Sequence, residues 1–576
     1  MSRRTIFLAV ISLVAGFAAG WFACPPAAPP ADDAPTTTVA WRDGLGARPV
    51  FVDVTAASGI DFVHENGQSG EFQYLEIMGG GVALFDYDRD GRLDIYFVNG
   101  NRIGSDASPE IRNRLYRNEG DLRFTDATER AGVGDAGYGQ GCCAGDYDGD
   151  GDDDLYVTNH GPNVLYQNAG DGTFTEVAKA AGVDDAGWGQ SCSFLDYDLD
   201  GDLDLYVQNY LTLAPGEGKG SEIRVGNEIV RDYPSPIGFR GSPDRLLRND
   251  GGDKFTDVTR ESGLFQADGK GMGVACADFD QDGHVDIFVA NDSAPNFYFR
   301  GLPGGKFVED GLIAGVAFND AGVPEASMGV DIGDYDRDGR MDLIVPCLAR
   351  QFFTLYRNAG ERFVDVSVPS GLARATARAT GFNASFLDYD DDGDLDIFFA
   401  NGGVRANELA PASASYIERY GIADILVAND GNGRFVDASA DAGPYFASAR
   451  IGRGSATGDL DGDGDVDVVI SNLADRPVVL RNDTAGGHWL ALELVDRRGR
   501  RNPFGARLRV VAGEVTQHAV VHGAVSYLSQ SERRPRFGIG SASAASEVEI
   551  IWPGGVRQML RDVAADQVLV VREREG

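Results

Sequence analysis

The chain has 576 residues, 43% of them hydrophobic, which is enough for a large buried core, and its 77 glycines point to many tight turns. Its 89 acidic and 51 basic residues give a formal net charge of −38, and this excludes a nucleic-acid binder, because no cationic surplus exists to replace phosphate counterions. Acidity on this scale means either a self-repelling soluble surface or bound cations, and the positions of the carboxylates decide between the two.

The first element is MSRRTIFLAVISLVAGFAAGWFAC, two arginines followed by an apolar run from Ile6 to Ala23. That is the pattern of an export signal, and the run also has the length of a single membrane anchor. Lipidation at Cys24 and twin-arginine export through Arg3-Arg4 are variants of the same outcome, an extracytoplasmic chain. Residues 1–23 are therefore expected to be a signal peptide or anchor, and residues 24–48, rich in Pro and Ala, an extended linker.

From residue 86 onward one nine-residue pattern, D-x-D-x-D-G-x-x-D, recurs seven times. It supplies Asp86, Asp88, Asp90 and Asp94; Asp146, Asp148, Asp150 and Asp154; Asp196, Asp198, Asp200 and Asp204. Further on it gives Asp278, Asp280, Asp282 and Asp286; Asp334, Asp336, Asp338 and Asp342; Asp388, Asp390, Asp392 and Asp396; and Asp459, Asp461, Asp463 and Asp467. A stretch of small residues such as GQGCCAG precedes each loop, and an apolar strand-like run such as LDLYVQN follows it. Short β-type runs joined by Gly, Asn and Asp turns make each repeat a sheet of about four strands, the size of a β-propeller blade.

A second element counts the blades independently. Phe-x-Asp/Glu starts at Phe124, Phe174, Phe255, Phe307, Phe363 and Phe435, once after each of the first six loops. The seventh copy, FVDVT (51–55), stands before the first loop instead. A ring closed by its N-terminal strand predicts this displacement, and closure removes exposed sheet edges. The expected fold is all-β: a seven-bladed propeller over 49–485, closed by an N-terminal strand, then a small β-rich domain over 486–576.

Repulsion shows why the loops need partners. Two carboxylates about 4 Å apart cost roughly 4 kcal/mol at an effective dielectric near 20, so four converging ones cost on the order of 20 kcal/mol. That exceeds the roughly 5–15 kcal/mol stability of a typical domain. Oxygen-only ligands select a hard ion, and the flexible geometry favours Ca2+, up to seven of them. An EF-hand is excluded, because position 12 is Phe97, Val157, Val207, Val289, Val345, Phe399 or Ile470, never Glu, and always in a strand-like run. The 28 loop aspartates hold most of the excess charge; without them the net charge would be −10.

Other positions carry weaker signals. Cys142 and Cys192 each stand four residues before a loop and are expected to face each other on neighbouring blades, as buried thiols or as a disulfide. Gln140, Gln190, Met272, Met328 and Arg453 each stand six residues before a loop, and are expected to fill or line the central channel. Two insertions, 210–243 and 403–424, interrupt the repeat, and loops on a rigid scaffold are where binding resides. Arg224, Arg231, Tyr233 and Arg240 of the first insertion are expected to contribute to a partner-binding face. Six histidines (64, 160, 284, 488, 518 and 522) form no recognisable catalytic motif, and there is no nucleophile elbow, phosphate loop or zinc motif.

The seven loops on strand-like repeats resemble the FG-GAP/VCBS repeats of integrin α-subunit propellers. GARLRVV (505–511), SYLSQSERRPRFGIG (526–540) and EIIWPGG (549–555) resemble the ASPIC/UnbV domain. Together they resemble bacterial relatives of cartilage acidic protein, with two departures: Arg536 stands where a His is expected, and Asn401-Gly402-Gly403 lacks a following His. The resemblance implies extracellular calcium binding and contact with a protein or glycan partner, and no established reaction. The expected function is that of an exported, non-catalytic interaction or adhesion module. The alternative is an exported enzyme acting on polysaccharide or in a biosynthetic pathway.

Overall fold

The structure, a computed structural model, describes residues 51–574 apart from 105–107, 215, 226–227, 253, 408–412 and 485. The expected export segment (1–23), the linker (24–48) and the Arg224 side chain lie outside the described residues.

Each acidic loop joins the first and second strands of a four-stranded antiparallel sheet, and seven such sheets are present among the described residues. In blade 1 the strands are Val82–Phe85, Asp94–Phe97, Arg114–Asn118 and Phe124–Asp126. Blades 2 to 6 repeat this order, and in each the Phe-x-Asp/Glu element is the fourth strand. Blade 7 takes its fourth strand from the other end of the chain: Phe51–Asp53 pairs antiparallel with Val478–Asn482, Phe51 opposite Asn482 and Asp53 opposite Leu480. The ring closes as the displaced repeat requires. After the fourth strand most blades add one helical turn, such as Thr128–Ala131, ended by a left-handed glycine (Gly132, φ 78°). The sequence pattern reads that stretch only as the end of a hairpin.

Composition follows position in the ring. Second strands such as Asp154–Asn159 and Asp204–Asn209 are buried along their whole length, because neighbouring blades cover both faces; hence their Leu, Ile, Val, Tyr and Phe. First strands converge at the axis, where only small side chains fit: a Cβ on Gly141 would lie 2.7 Å from the Gln190 carbonyl oxygen of the next blade. Gln140, Gln190, Met272, Met328 and Arg453 are all buried where these strands converge. Cys142 and Cys143 point to opposite sides of their strand, and it is Cys143, not Cys142, that packs beside Cys192. Cys142 instead meets the Leu528 carbonyl, and the five cysteines among the described residues are buried free thiols.

The C-terminal domain has a three-stranded sheet (Arg536–Gly540, His488–Val495, Gln567–Arg572) and a four-stranded sheet (Val515–Val520, Arg507–Ala512, Ala544–Ile551, Arg557–Ala564). Leu490, Leu492, Leu508, Val510, Val548 and Trp552 form its core. One segment of this domain, residues 523–532, leaves that core and threads the axis of the propeller. Gln530 N–H donates to the Val82 carbonyl of blade 1, and its carbonyl accepts from Leu84. The Leu528 carbonyl accepts from Cys142 of blade 2, and its N–H donates to Ser191 of blade 3. Ser526 bonds the Val330 carbonyl of blade 5, Tyr527 bonds Asn383 of blade 6, and Ser531 and Glu532 bond Thr457 of blade 7. The channel that the blade count requires is filled chiefly from a different domain.

Candidate metal centres

All seven acidic loops have one backbone form. Position 6 is a glycine in the left-handed region in every copy (Gly91, Gly151, Gly201, Gly283, Gly339, Gly393 and Gly464, φ 88–100°). Position 4 is also left-handed in every copy, at Arg89, Gly149, Leu199, Gln281, Arg337, Asp391 and Gly462. Five of those seven carry a side chain, at a cost of about 1–2 kcal/mol each. The repeat consensus leaves position 4 variable, so no sequence signal marks this strain.

The aspartates divide into two jobs. At position 1, one carboxylate oxygen accepts the N–H of the position-6 glycine in all seven loops, for example Asp86 from Gly91 at 3.0 Å and Asp388 from Gly393 at 2.9 Å. At position 5, one oxygen accepts the N–H of position 7 in all seven, as in Arg92 to Asp90 at 3.1 Å. These bonds wind the loop around its own carboxylates. At position 9 the carboxylate is buried, and one oxygen accepts an N–H from the third strand in every blade. The other oxygen accepts the N–H of position 2 in six loops, so this residue ties three segments together.

The residue that donates to position 9 is Asn in six blades: Asn118, Asn168, Asn249, Asn358, Asn429 and Asn482. Its side-chain amide reaches the position-2 carbonyl of the preceding blade, as in Asn168 to Tyr87 at 3.0 Å and Asn118 to Leu460 across the ring closure at 2.8 Å. Blade 4 has Gly301 at this position and lacks the link. The RN, QN or AN ending of the third strand was visible in the sequence, but only the ring geometry gives it a partner.

In loops 1 to 5 three carboxylates per loop offer oxygens within 4.8 Å of one another: Asp86, Asp88 and Asp90; Asp146, Asp148 and Asp154; Asp196, Asp198 and Asp204; Asp278, Asp280 and Asp282; Asp334, Asp336 and Asp342. Loops 6 and 7 crowd their charges in the same way. Burial and then Asp391, Asp392 and Asp390 push the Asp388 carboxyl up, and burial and then Asp463 push Asp461 up to about 6. Asp94, Asp204 and Asp286 are pushed up to about 8, 9 and 7, chiefly by burial, and Asp146 to about 7 by burial and its neighbours Asp153, Asp148 and Asp150. Burial and crowding of this kind favour the protonated carboxyl over the carboxylate unless a cation replaces the lost water.

The donor set fits Ca2+. Asp88 Oδ1, Asp146 Oδ1, Asp196 Oδ1, Asp198 Oδ1, Asp278 Oδ1, Asp336 Oδ1 and Asp342 Oδ2, at positions 1, 3 and 9 of loops 1 to 5, are buried with no hydrogen-bond partner, whereas the position-7 oxygens of Asp152 and Asp394 face Arg89 and Arg337. Buried acceptors without donors are rare, and here they recur in register, all hard oxygens. Positions 1, 3, 5 and 9 would hold the ion, which supplies only charge neutralisation and cross-linking.

Arginines share the compensation, which the bare repulsion estimate left out. Arg117 bridges Asp88 and Asp90 (2.6 and 2.5 Å), and Arg89 reaches Asp152 in the next loop (3.1 Å). The C-terminal domain lies over this loop face and adds more: Arg498 to Asp202 (3.0 Å), Arg507 to Asp278 (3.5 Å), Arg533 to Asp153 (2.5 Å) and Arg536 to Asp391 (2.9 Å). His518 bonds Asp334 (2.9 Å), while His522 bonds the Gly523 carbonyl (2.8 Å). The two histidines are engaged separately.

The opposite face carries both insertions. Leu211–Thr212 pairs with Arg240–Gly241, and Ser221–Val225 with Glu228–Asp232. The second insertion contains the helical turn Tyr416–Tyr420, started by a capping box of Ser415 and Glu418. Arg240 is exposed. Tyr233 is not: it is buried against Phe72 and Tyr420, and Arg231 is held by Glu71 (3.3 Å). The loop 66–78, which the repeat pattern did not single out, supplies the third side of this face.

Residues 86–157, 146–207, 237–289 and 278–345 match the family model described as FG-GAP-like repeat, and residues 496–576 match that described as ASPIC and UnbV. The chain is similar to cartilage acidic protein 1 of Homo sapiens, 28% identical over 327 residues, or 55% of this chain and 46% of that protein. It is similarly related to cartilage acidic protein 1 of Mus musculus (28%, 55% and 47%), so it spans about half the length of the curated relatives it matches. Among solved structures, an Agrocybe aegerita lectin that recognises non-reducing terminal N-acetylglucosamine aligns with TM-score 0.37 and 15% identity, over 69% of this chain and 86% of that one. BBS1N in complex with ARL6DN aligns with TM-score 0.37 and 8% identity, over 76% and 99%.

Proposed function

Because this chain carries FG-GAP-like repeats followed by an ASPIC and UnbV domain, we propose that it is an exported, calcium-bound, non-catalytic interaction module that meets a partner outside the cytoplasm through its insertion face. The observation that carries the reading is the set of buried, unpartnered carboxylate oxygens recurring at the same loop positions around one face of the ring. Sites of extracellular modules are often weak, about 10⁻⁴–10⁻³ M, so they fill where free calcium is millimolar and stay empty in cytosol. That agrees with the export pattern at the N-terminus. The loop face is covered by the C-terminal domain, which leaves the insertion face for a partner.

The test separates the two faces. Gly220 and Asp232 touch, a Cβ on Gly220 lying 2.5 Å from the Asp232 carbonyl oxygen, so residues 221–231 can be replaced by a short turn. In calcium, that variant is expected to keep the wild-type melting temperature and to lose binding to cell-surface protein and glycan panels. Binding unchanged by the excision would overturn the assignment of the face, and protein that retains no calcium after gentle desalting from millimolar calcium would overturn the metal assignment.

A further inference from the structure

A pocket of about 270 Å³ opens on the insertion face where the loop 66–78 and both insertions meet. We propose that it holds one neutral sugar ring, the terminal unit of a glycan; this rests on the reading of that face as the partner-binding one. The pocket is smaller than the about 300–1,000 Å³ of drug-sized sites, room for a ring rather than a chain.

Its wall is aromatic. Phe72 and Tyr233 have ring centroids 5.2 Å apart, Tyr233 and Tyr420 5.7 Å, and Tyr420 and Tyr416 4.9 Å. Phe72 and Tyr416 are only partly buried, although Phe and Tyr placed for packing alone would be covered. An aromatic face left open offers the weakly apolar C–H face of a pyranose a flat partner.

The polar groups around that wall are balanced in charge. Among the described residues the carboxylate lining the pocket is Glu76 and the guanidinium is Arg419, whose Nε donates to the Ala414 carbonyl at 3.2 Å. Glu76 accepts from Ser69 Oγ at 2.6 Å and from Tyr233 Oη at 3.3 Å; the second bond is long, so that oxygen can still take a ligand hydroxyl. Two further charges near the pocket are already saturated. Asp232 accepts from Tyr420 Oη (2.8 Å) and from the Ala406 N–H (3.0 Å). Arg453 donates to the carbonyls of Ile77, Gly452 and Gly403 and stacks on Phe382. With one acidic and one basic side chain at the pocket, and Asp232 and Arg453 adding one charge of each sign nearby, neither an anionic nor a cationic ligand gains a net attraction. A neutral polyol finds both a donor and an acceptor. Gln68, exposed at the rim, adds an amide that can serve as either.

The experiment is a saturation-transfer NMR titration of the full chain in millimolar calcium. The probes are methyl glycosides of glucose, galactose, mannose and N-acetylglucosamine, with glucuronate and glucosamine as charged counterparts. At least one neutral glycoside is expected to bind, about tenfold tighter than its charged counterpart, with Phe72→Ala and Tyr416→Ala each weakening it about tenfold, the loss of one ring contact. Gln68→Ala, at an exposed position, is expected to weaken binding without any change in melting temperature. No binding by any glycoside, equal binding of charged sugars, or wild-type affinity in all three variants would overturn the proposal. A chain that binds no sugar but captures a surface protein, and loses it on excision of 221–231, would sink the sugar pocket alone and leave the interaction module standing.

Discussion

The two faces of the propeller are built on different principles. On the loop face one nine-residue device is stamped seven times, and each copy is nearly self-contained: position 1 is bonded by position 6, position 5 by position 7, and position 9 by the adjacent strand. On the insertion face nothing repeats, and Tyr233, Tyr420, Phe72 and Glu76 meet from segments up to hundreds of residues apart. The first face is built from charged side chains crowded into candidate metal sites, the second from packed rings and hydroxyls that donate to a few carboxylates. A face assembled from local repeats announces itself in sequence, whereas one assembled from distant segments announces only that it is irregular.

Chelation is the strongest way to sharpen this contrast. If each of seven sites is filled at tenfold its dissociation constant, calcium adds about 1.4 kcal/mol per site and about 10 kcal/mol in all. Excess EDTA is then expected to lower the melting temperature by about 10 °C, given the entropy of unfolding of a chain this long. A calorimetric scan unchanged by EDTA would erase the distinction between the faces.

The pH dependence of the calcium-free protein follows from the raised carboxyl groups. Asp86, Asp196 and Asp459 lie at about 6, Asp146 at about 7 and Asp94 at about 8, mainly through burial, against 3.8 for an unperturbed Asp. Between those limits the folded state binds more protons than the unfolded one, so stability present at pH 4 is lost as pH rises through 6–8. Melting temperatures in EDTA should therefore fall from pH 5 to pH 8, while those in calcium should not.

Single substitutions come next in size. Asp467→Ala removes the acceptor for both Asn482 and Leu460 N–H in blade 7, and is expected to cost about 4 kcal/mol by urea denaturation, with one calcium fewer bound. On the other face Tyr420→Phe removes the hydroxyl that donates to Asp232 and is expected to cost about 1–2 kcal/mol, with the calcium stoichiometry unchanged. If Tyr420→Phe altered calcium binding, the two faces would be coupled and the comparison would need redrawing.

Periodicity explains what the sequence could disclose. Seven aspartate patterns and six Phe-x-Asp/Glu elements specify blade number, strand order and ring closure, because six blades draw all four strands from one stretch of chain around their loop and the seventh borrows a recognisable copy of the same element. Three things were not legible for the same reason. The left-handed position 4 is tolerated by Arg, Leu, Gln and Asp alike, so composition does not mark it. Arg507, Arg533 and Arg536 meet loop aspartates more than 100 residues away, and no local spacing foretells that. Cys142 was matched to Cys192 by equal distance from the loop, but equivalent positions face the same way around the ring, so Cys142 faces blade 1 as Cys192 faces blade 2, and the alternate residue Cys143 is the one that meets Cys192.

The threaded segment 523–532 has a bearing on biogenesis. It follows all seven blades in the chain, yet it lies at the centre of a ring whose seventh blade is completed by Phe51–Asp53. The strands on either side of it, Val515–Val520 and Arg536–Gly540, both belong to the C-terminal domain, so the bore is plugged as that domain docks, and a chain truncated before residue 523 is left with an open bore that exposes Ser191 and Asn383 to water.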